Sequence, residues 1–251
     1  WAIQDNTAIS TTAWTHVAVV RNSGTVTVYK NGTSIGSTTY STDMTGNRPI
    51  SVGTLEGGSL PFDGHIDELR ISDTARYTAN FTPQTSPHVN DDNTLLLLHM
   101  DGDDGSTLFE DDNGVAGKSA INRPAVPVTA VGDAQIDTAQ SQFGGASALF
   151  DGNGDSLEIT DGVLTGDGDF TIECWFYLNS SSTGGFCGQQ SGSTSQGRMV
   201  FGLANVSGLK LNGFLNDLAN NNNAIATGAT TVSTGQWYHA AFVRNGGDFL
   251  V

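Results

Sequence analysis

The sequence is poor in positive charge. Ten Lys and Arg residues stand against 26 Asp and Glu, so the formal net charge is −16 at pH 7 and the sequence pI is near 4.3. Nucleic acids and anionic membranes repel such a protein, and we expect neither as a partner. No long apolar run occurs, so no membrane insertion is expected, and residues 1–7 lack the features of a signal peptide.

Cysteine is also scarce, because Cys174 and Cys187 are the only two. Two cysteines cannot build a disulfide framework. A four-residue turn at 179–182 would place them opposite one another across a hairpin, which allows a bridge. The alternative is two reduced cysteines packed as small apolar side chains, because paired strands rarely suit disulfide geometry.

The composition instead favours many strands and tight turns. Glycine occurs 32 times, and short apolar runs alternate with Thr, Ser, Asn and Asp. Residues 170–178 are aromatic and β-branched with apolar residues on both faces, as in a central strand. Turn spacing of this kind indicates an antiparallel sandwich or jelly roll. Further strands are predicted at 17–20, 25–29, 65–71, 146–150, 156–159, 198–204 and 209–215.

The two ends of the chain resemble each other. The run WTHVAVVRN at 14–22 recurs as WYHAAFVRN at 237–245. An internal repeat predicts tandem modules. We therefore expect residues 1–88 to be the C-terminal part of one module, 89–94 a linker and 95–251 the N-terminal part of the next, with the natural protein extending beyond both ends. The proline-containing run 81–92 fits a linker.

Several motifs follow one another in a recognisable order. They are VYKNG (28–32), GHIDELRI (64–71), LLLLHMDG (95–102), DDNG (111–114), FGGASALFDGNGD (143–155), DFTIECW (169–175) and the two W-x-H-x-A-x-x-R-N runs. Together they resemble the laminin G-like, or concanavalin A-like lectin/glucanase, superfamily, and their order matches that family when the two half-modules are taken as one circularly shifted module. The region around TARY at 74–77 is also similar to modular proteins of tailed bacteriophages and marine microbes.

The resemblance implies an all-β fold, a concanavalin A-like antiparallel β-sandwich of the jelly-roll type in tandem modules. The glucanases of this fold carry Glu-x-Asp-x-Glu on one strand, for nucleophile and acid. Here the corresponding run is His65-Ile-Asp-Glu-Leu69, with His and Leu in place of the two glutamates. We therefore expect no hydrolysis by that route and no enzymatic activity.

The resemblance also implies a structural Ca²⁺ near the sandwich edge, since Ca²⁺ takes six to eight oxygen ligands. For the module that begins at 95 it points to Asp101, Asp112 and a carbonyl of the Asn113 loop. Asp67 and Glu68 would serve the preceding module. The alternative is a set of solvated turn residues that keep the protein soluble.

Other candidates have simpler explanations. Asp151-Gly-Asn-Gly-Asp155 has the spacing of a calcium loop without the EF-hand Gly and Glu, and a glycine-rich hairpin connection explains it better. His16 and His239 alternate with apolar residues, as core histidines do. Sugar-stacking aromatics, if present, include Trp1, Tyr40 and Phe186 in loop-like contexts, although interface or core roles are equally open.

Three functions remain open. The first is an adhesion or structural module on a virion or extracellular surface that binds glycan or other subunits of a homo-oligomer or polymer, since repetition gives weak sites avidity. The second is an accessory carbohydrate-binding region of a larger secreted enzyme. The third is a ligand-free filament or fibre subunit whose edge strands pair between chains.

Overall fold

The fold was analysed in a computed structural model of the chain. It describes the following residues: 17–22, 25–30, 32–39, 49–54, 58–112, 124–160, 163, 169–189, 198–205, 208–217, 222–235, 237–245 and 248–250. Seventeen strands lie in these ranges and no α-helix does. Correspondingly, the described part holds no helix with the length and apolar character that crossing a membrane requires.

The strands alternate with short turns throughout. In chain order they are β1 (Val17–Asn22), β2 (Thr25–Lys30), β3 (Thr33–Thr39), β4 (Ile50–Val52), β5 (Asp63–Ser72), β6 (Thr94–Leu98), β7 (Val128–Val131), β8 (Gln135–Asp137), β9 (Ser147–Asp151), β10 (Ser156–Ile159), β11 (Phe170–Leu178), β12 (Gly184–Gln189), β13 (Arg198–Asn205), β14 (Leu209–Asp217), β15 (Asn222–Thr231), β16 (Trp237–Asn245) and β17 (Asp248–Leu250). Every strand predicted from sequence is present, and β11 has the predicted bounds.

The strands form two large antiparallel sheets and one small one. The first large sheet has the order β17-β16-β11-β5-β9-β8, with β6 also paired to β5. The second has the order β15-β14-β13-β12-β4-β10-β7, and β1-β2-β3 form a separate sheet. Each strand pairing is antiparallel, which confirms the all-β sandwich class.

A core rich in phenylalanine lies between the two large sheets. Phe62 contacts Phe150, Phe176 and Phe186 edge to face, with ring centroids 5.2–6.4 Å apart. Phe201 extends the cluster from Phe186 at 5.3 Å. All five rings are fully buried, so the aromatic residues of the sequence supply much of the apolar area that holds the sheets together.

The sequence repeat is reproduced in backbone register. In the β1–β2 hairpin Arg21 pairs with Val26, and in the β16–β17 hairpin Arg244 pairs with Phe249, which are the equivalent positions of the repeat. The two ends of the chain therefore fold as the same hairpin, as the shared sequence predicts.

Strands from both sides of the predicted linker share the same sheets. Strand β5 pairs with β11 along one edge and with β6 and β9 along the other, and β4 lies between β10 and β12. The module boundaries at 1–88, 89–94 and 95–251 stay a prediction. The C-terminal strands of one module can occupy the sheet positions that the C-terminal strands of the next module would otherwise fill.

The segment that joins the two halves is docked onto β5. Residues 73–93 contain no regular strand, and His88 among them is buried and donates its backbone N–H to Glu68 Oε2 at 2.6 Å. Arg76 makes a two-pronged bond to Asp91 with distances of 2.7 and 2.8 Å. The segment therefore covers the outer face of the first large sheet.

The two cysteines occupy different sheets. Cys174 lies on β11 and Cys187 on β12, both are buried, and neither forms a disulfide bond. The predicted hairpin that would have placed them opposite one another is wrong, since β12 pairs with β13 and β4 instead. Burial raises the pKa of the Cys187 thiol to about 12, so it is an unreactive core residue.

Candidate functional site

A bulge in β5 creates the candidate site. The pairing between β5 and β11 shifts register between Glu173 and Trp175, so two residues of β5 oppose one of β11. Glu68 lies in this bulge with φ of 54°, which is strained for a residue other than glycine. The bulge places Asp67 and Glu68 on the outer face, where loops cover both of them completely.

The carboxylate of Asp67 is only half satisfied. Its Oδ2 accepts the backbone N–H groups of Gln142 at 2.7 Å and Phe143 at 3.1 Å. Its Oδ1 is buried and has no hydrogen-bond partner among the described residues. Burial raises the pKa of Asp67 well above its usual value, and the negative charges of Glu68 and Asp101 raise it further against those two bonds.

Asp101 approaches Asp67 from the loop that follows β6. Its carboxylate lies against Gly144, where a Cβ atom would stand 1.9 Å from Asp101 Oδ1. Gly144 also has φ of +65°, so glycine both permits the turn and leaves room for the acid. The side-chain oxygen of Gln142 is a further buried acceptor without a hydrogen-bond partner in the described part. Asp67 and Gln142 thus each present a buried oxygen without a donor among the described residues, and the carboxylate of Asp101 lies close to Asp67.

A second group of polar side chains adjoins this one. Glu68 Oε1 lies 2.6 Å from Nδ1 of His99, and Nε2 of His99 lies 3.5 Å from Oδ1 of Asp112. Met100, beside His99, has a positive φ of 59°. Strained residues of this kind persist only where the surrounding structure holds them, and they concentrate at binding sites.

An open cavity of about 200 Å³ borders this second group. Its polar wall carries His99, Asp101, Glu110 and Asp112. Its apolar wall is made by Leu98, Met100, Leu108, Phe109 and Ile136, of which Leu108 is largely exposed at the rim. The lining of the cavity is therefore partly acidic and partly apolar.

The residues predicted to bind calcium fall into these two groups. Asp67 and Asp101 belong to the first, Glu68 and Asp112 to the second, and Asn113 lies outside the described residues. Within the ranges described, no three His, Cys, Asp or Glu side chains are placed to hold a metal ion. The metal site stays a prediction, and any ion would need amide, carbonyl and water oxygens beside the carboxylates.

Sequence reasoning missed Gln142 and His99. His99 stands immediately after a Leu-rich strand, next to Asp101, and this proximity was the available signal. Gln142 had no signal, because only the fold brings the loop before β9 to the β5 bulge.

Two other acidic residues have structural roles. Asp155 is buried and accepts the backbone N–H groups of Asp133 and Asp151, which closes a turn and favours the hairpin explanation over a metal site. Asp111 accepts the N–H groups of Leu97 and Val126.

Of the aromatic candidates, Phe186 is fully buried, so the core role is the one of its open roles that the structure supports. Trp1, Tyr40 and His16 lie outside the described residues, as does the side chain of His239.

The positions of the glucanase glutamates hold side chains with other functions. His65 Nε2 lies 2.8 Å from Asp137 Oδ2, and Leu69 is part of the core. Burial lowers the pKa of His65, although Asp137 acts in the opposite direction. No pair of carboxylic acids therefore stands on β5 in the arrangement that glycoside hydrolysis uses.

Comparison with known proteins identifies the family. The family model for laminin G domains of the concanavalin A-like lectin/glucanases superfamily matches residues 2–80 and 151–251. The chain belongs to this superfamily. No curated protein and no solved structure matches it. Within this laminin G chain the matched ranges contain Asp67 and Glu68, whereas Asp101 and Asp112 lie in the unmatched interval.

Proposed function

We propose that the chain is a non-catalytic glycan-binding or adhesion module of a virion or extracellular surface protein. Membership of the concanavalin A-like superfamily carries this proposal, because it supports a carbohydrate-binding or adhesion module in general. The open cavity beside the β5 bulge supports it further, since ligand sites are concave, with apolar walls and a few placed polar groups.

The charge of the protein narrows the class of glycan. A net charge of −16 repels sialylated, sulfated and uronic-acid glycans. Neutral and basic sugars are therefore the ligands to expect. The internal repeat supports assembly into a homo-oligomer or polymer, in which several weak sites act together.

A glycan array tests this function. The chain, displayed on a multivalent carrier with calcium present, should bind at least one neutral or basic glycan and no sulfated or sialylated one. The bare carrier is the control. If no glycan is retained, a ligand-free fibre subunit becomes the better explanation.

A calcium ion fits the first group of acidic residues. Asp67 Oδ1 and Gln142 Oε1 are buried acceptors without hydrogen bonds, and Asp101 is close enough to Asp67 to raise its pKa. These oxygens would hold the ion, with water completing the shell. The ion would supply positive charge that offsets the repulsion between the two aspartates.

Calcium is therefore expected to stabilise the protein through Asp67. At calcium concentrations about 100 times the Kd, the free energy of unfolding should rise by about 2.7 kcal/mol. Scanning calorimetry with and without EDTA measures this as a rise in Tm. The Asp67→Asn variant should lose the calcium-dependent increment, because the amide removes the negative ligand.

The Asp103→Asn variant is the matched control, since Asp103 is an exposed carboxylate of the same loop region. It should retain the full increment. If calcium raises the Tm of wild type and of Asp67→Asn equally, the ion binds elsewhere. If calcium does not raise the Tm of wild type, the proposed calcium site is contradicted.

A further inference from the structure

The buried acid Asp112 is part of the cavity lining. Asp112 is 4% exposed, and its Oδ1 has no hydrogen-bond partner among the described residues. The nearest ring nitrogen, Nε2 of His99, is 3.5 Å away, which is longer than a normal hydrogen bond. A buried carboxylate oxygen without a donor is costly, and a ligand that brings a donor would remove that cost.

His99, beside Asp112, is held by hydrogen bonds. Glu68 binds Nδ1 of His99 through one oxygen and the backbone N–H of His88 through the other. His99 is therefore held with its Nε2 edge turned toward Asp112. This part of the cavity lining is in place without a ligand, and pre-organisation of this kind favours binding.

A positively charged donor suits this wall better than a metal ion. Asp101 and Glu110 line the cavity together with Asp112, so the local charge is strongly negative. Across the described positions no three such side chains meet closely enough to hold a metal. A larger cation that carries several N–H groups bridges acceptors at this separation, and it forms charge-assisted hydrogen bonds with carboxylates.

The apolar wall and the volume indicate what carries that cation. About 200 Å³ accommodates a ligand the size of one sugar ring. Leu108, exposed at the rim, and Phe109 offer carbon atoms against which the C–H face of a sugar packs. A ligand with both a ring face and an ammonium group matches the apolar and the acidic residues of this lining.

We propose that this cavity binds a hexosamine unit whose amino group is not acetylated, with the ammonium group donating to the carboxylate of Asp112. The inference rests on the proposed glycan-binding function and names the sugar class that the cavity takes. Asp112 and His99 recognise the ammonium, Asp101 and Glu110 add negative potential, and Leu108 contacts the ring.

Titration calorimetry with matched oligosaccharides tests the inference. Oligomers of glucosamine, at a pH where the amine is protonated, should bind at least about tenfold more tightly than N-acetylglucosamine oligomers of the same length, because acetylation removes the charge. Equal affinity for the two oligomers would overturn the proposal, and it would leave glycan binding as such in place.

Two variants and one simple amine locate the contact. Asp112→Asn should weaken binding of the glucosamine oligomer at least about tenfold, whereas Asp103→Asn should leave it unchanged. If Asp112→Asn does not fold, Leu108→Ala substitutes for it, because Leu108 is 65% exposed and its truncation spares the core. That variant should bind the oligomer several-fold more weakly.

Methylamine has the ammonium group and no ring, so its affinity distinguishes the contribution of the charge from that of the sugar ring. It should bind far more weakly than glucosamine and be unaffected by Leu108→Ala. Methylamine binding as tight as glucosamine, or unchanged oligomer binding in both variants, would contradict a hexosamine site here. A glycan array that retains only neutral sugars would overturn this inference alone, whereas an empty array would overturn the proposed function as well.

Discussion

Replacing Glu173 by alanine is expected to lower the free energy of unfolding by about 3–5 kcal/mol. Glu173 lies on β11 and is fully buried. Its Oε1 accepts bonds from Nε of Arg70 at 2.7 Å and Nη2 at 2.5 Å, and its Oε2 accepts the Tyr77 hydroxyl at 3.0 Å. Alanine would leave a buried guanidinium, 7% exposed, without its counter-charge, and the tyrosine hydroxyl would lose its acceptor.

Urea denaturation of three variants measures this loss. Glu158→Ala is the control, because Glu158 is an exposed carboxylate on strand β10 and its removal should change stability by less than about 0.5 kcal/mol. The double variant Arg70→Met/Glu173→Leu should recover much of the loss, since apolar residues of similar volume often replace a buried ion pair at little cost. A loss below about 1 kcal/mol in Glu173→Ala would show that water reaches Arg70.

The buried pair also shows where sequence patterning is informative. The pattern of 170–178 predicted β11 correctly because its apolar residues lie on both faces, and the same reasoning found β5, β9 and β10. Nothing in the sequence indicates that an Arg on one strand will form an ion pair with a Glu on another. Only the register that sets Arg70 opposite Glu173 makes them partners.

Pairing between distant strands was the limit of prediction. The proposed hairpin of β11 with β12 follows from their adjacency in sequence, yet in the structure the chain crosses to the other sheet between them. Alternating hydrophobicity says which face of a strand is buried. It does not say which strand lies beside it.

The acidic residues of the candidate site could be predicted from the sequence, whereas their spatial arrangement could not. Asp67 and Asp101 were found through family resemblance, and the structure places them near each other. The β5 bulge that turns Glu68 toward His99 depends on a register shift in the pairing with β11. Local sequence does not encode that shift, so His99 and Gln142 were missed.

Truncation of Phe62 to alanine is the second change with a large expected effect, about 3–5 kcal/mol of stability. Phe62 precedes the docked segment 73–93, whereas its aromatic neighbours Phe150, Phe176 and Phe186 all follow it. The backbone of Gly184 also packs on it, since a Cβ there would stand 2.7 Å from Phe62 Cα. Alanine therefore leaves a cavity that these neighbours cannot fill.

Scanning calorimetry distinguishes this shared core from two independent modules. If the sheets close across the junction as observed, Phe62→Ala lowers the Tm of the main transition by about 6–20 °C. If residues before the junction formed their own unit, the transition of the larger part, after the junction, would stay at the wild-type temperature. Leu60→Ala is the control, because that side chain is 46% exposed and its loss should shift the Tm only slightly. A main transition that moves with Phe62 and not with Leu60 would mean that strands β4 and β5 complete the sandwich begun at β6.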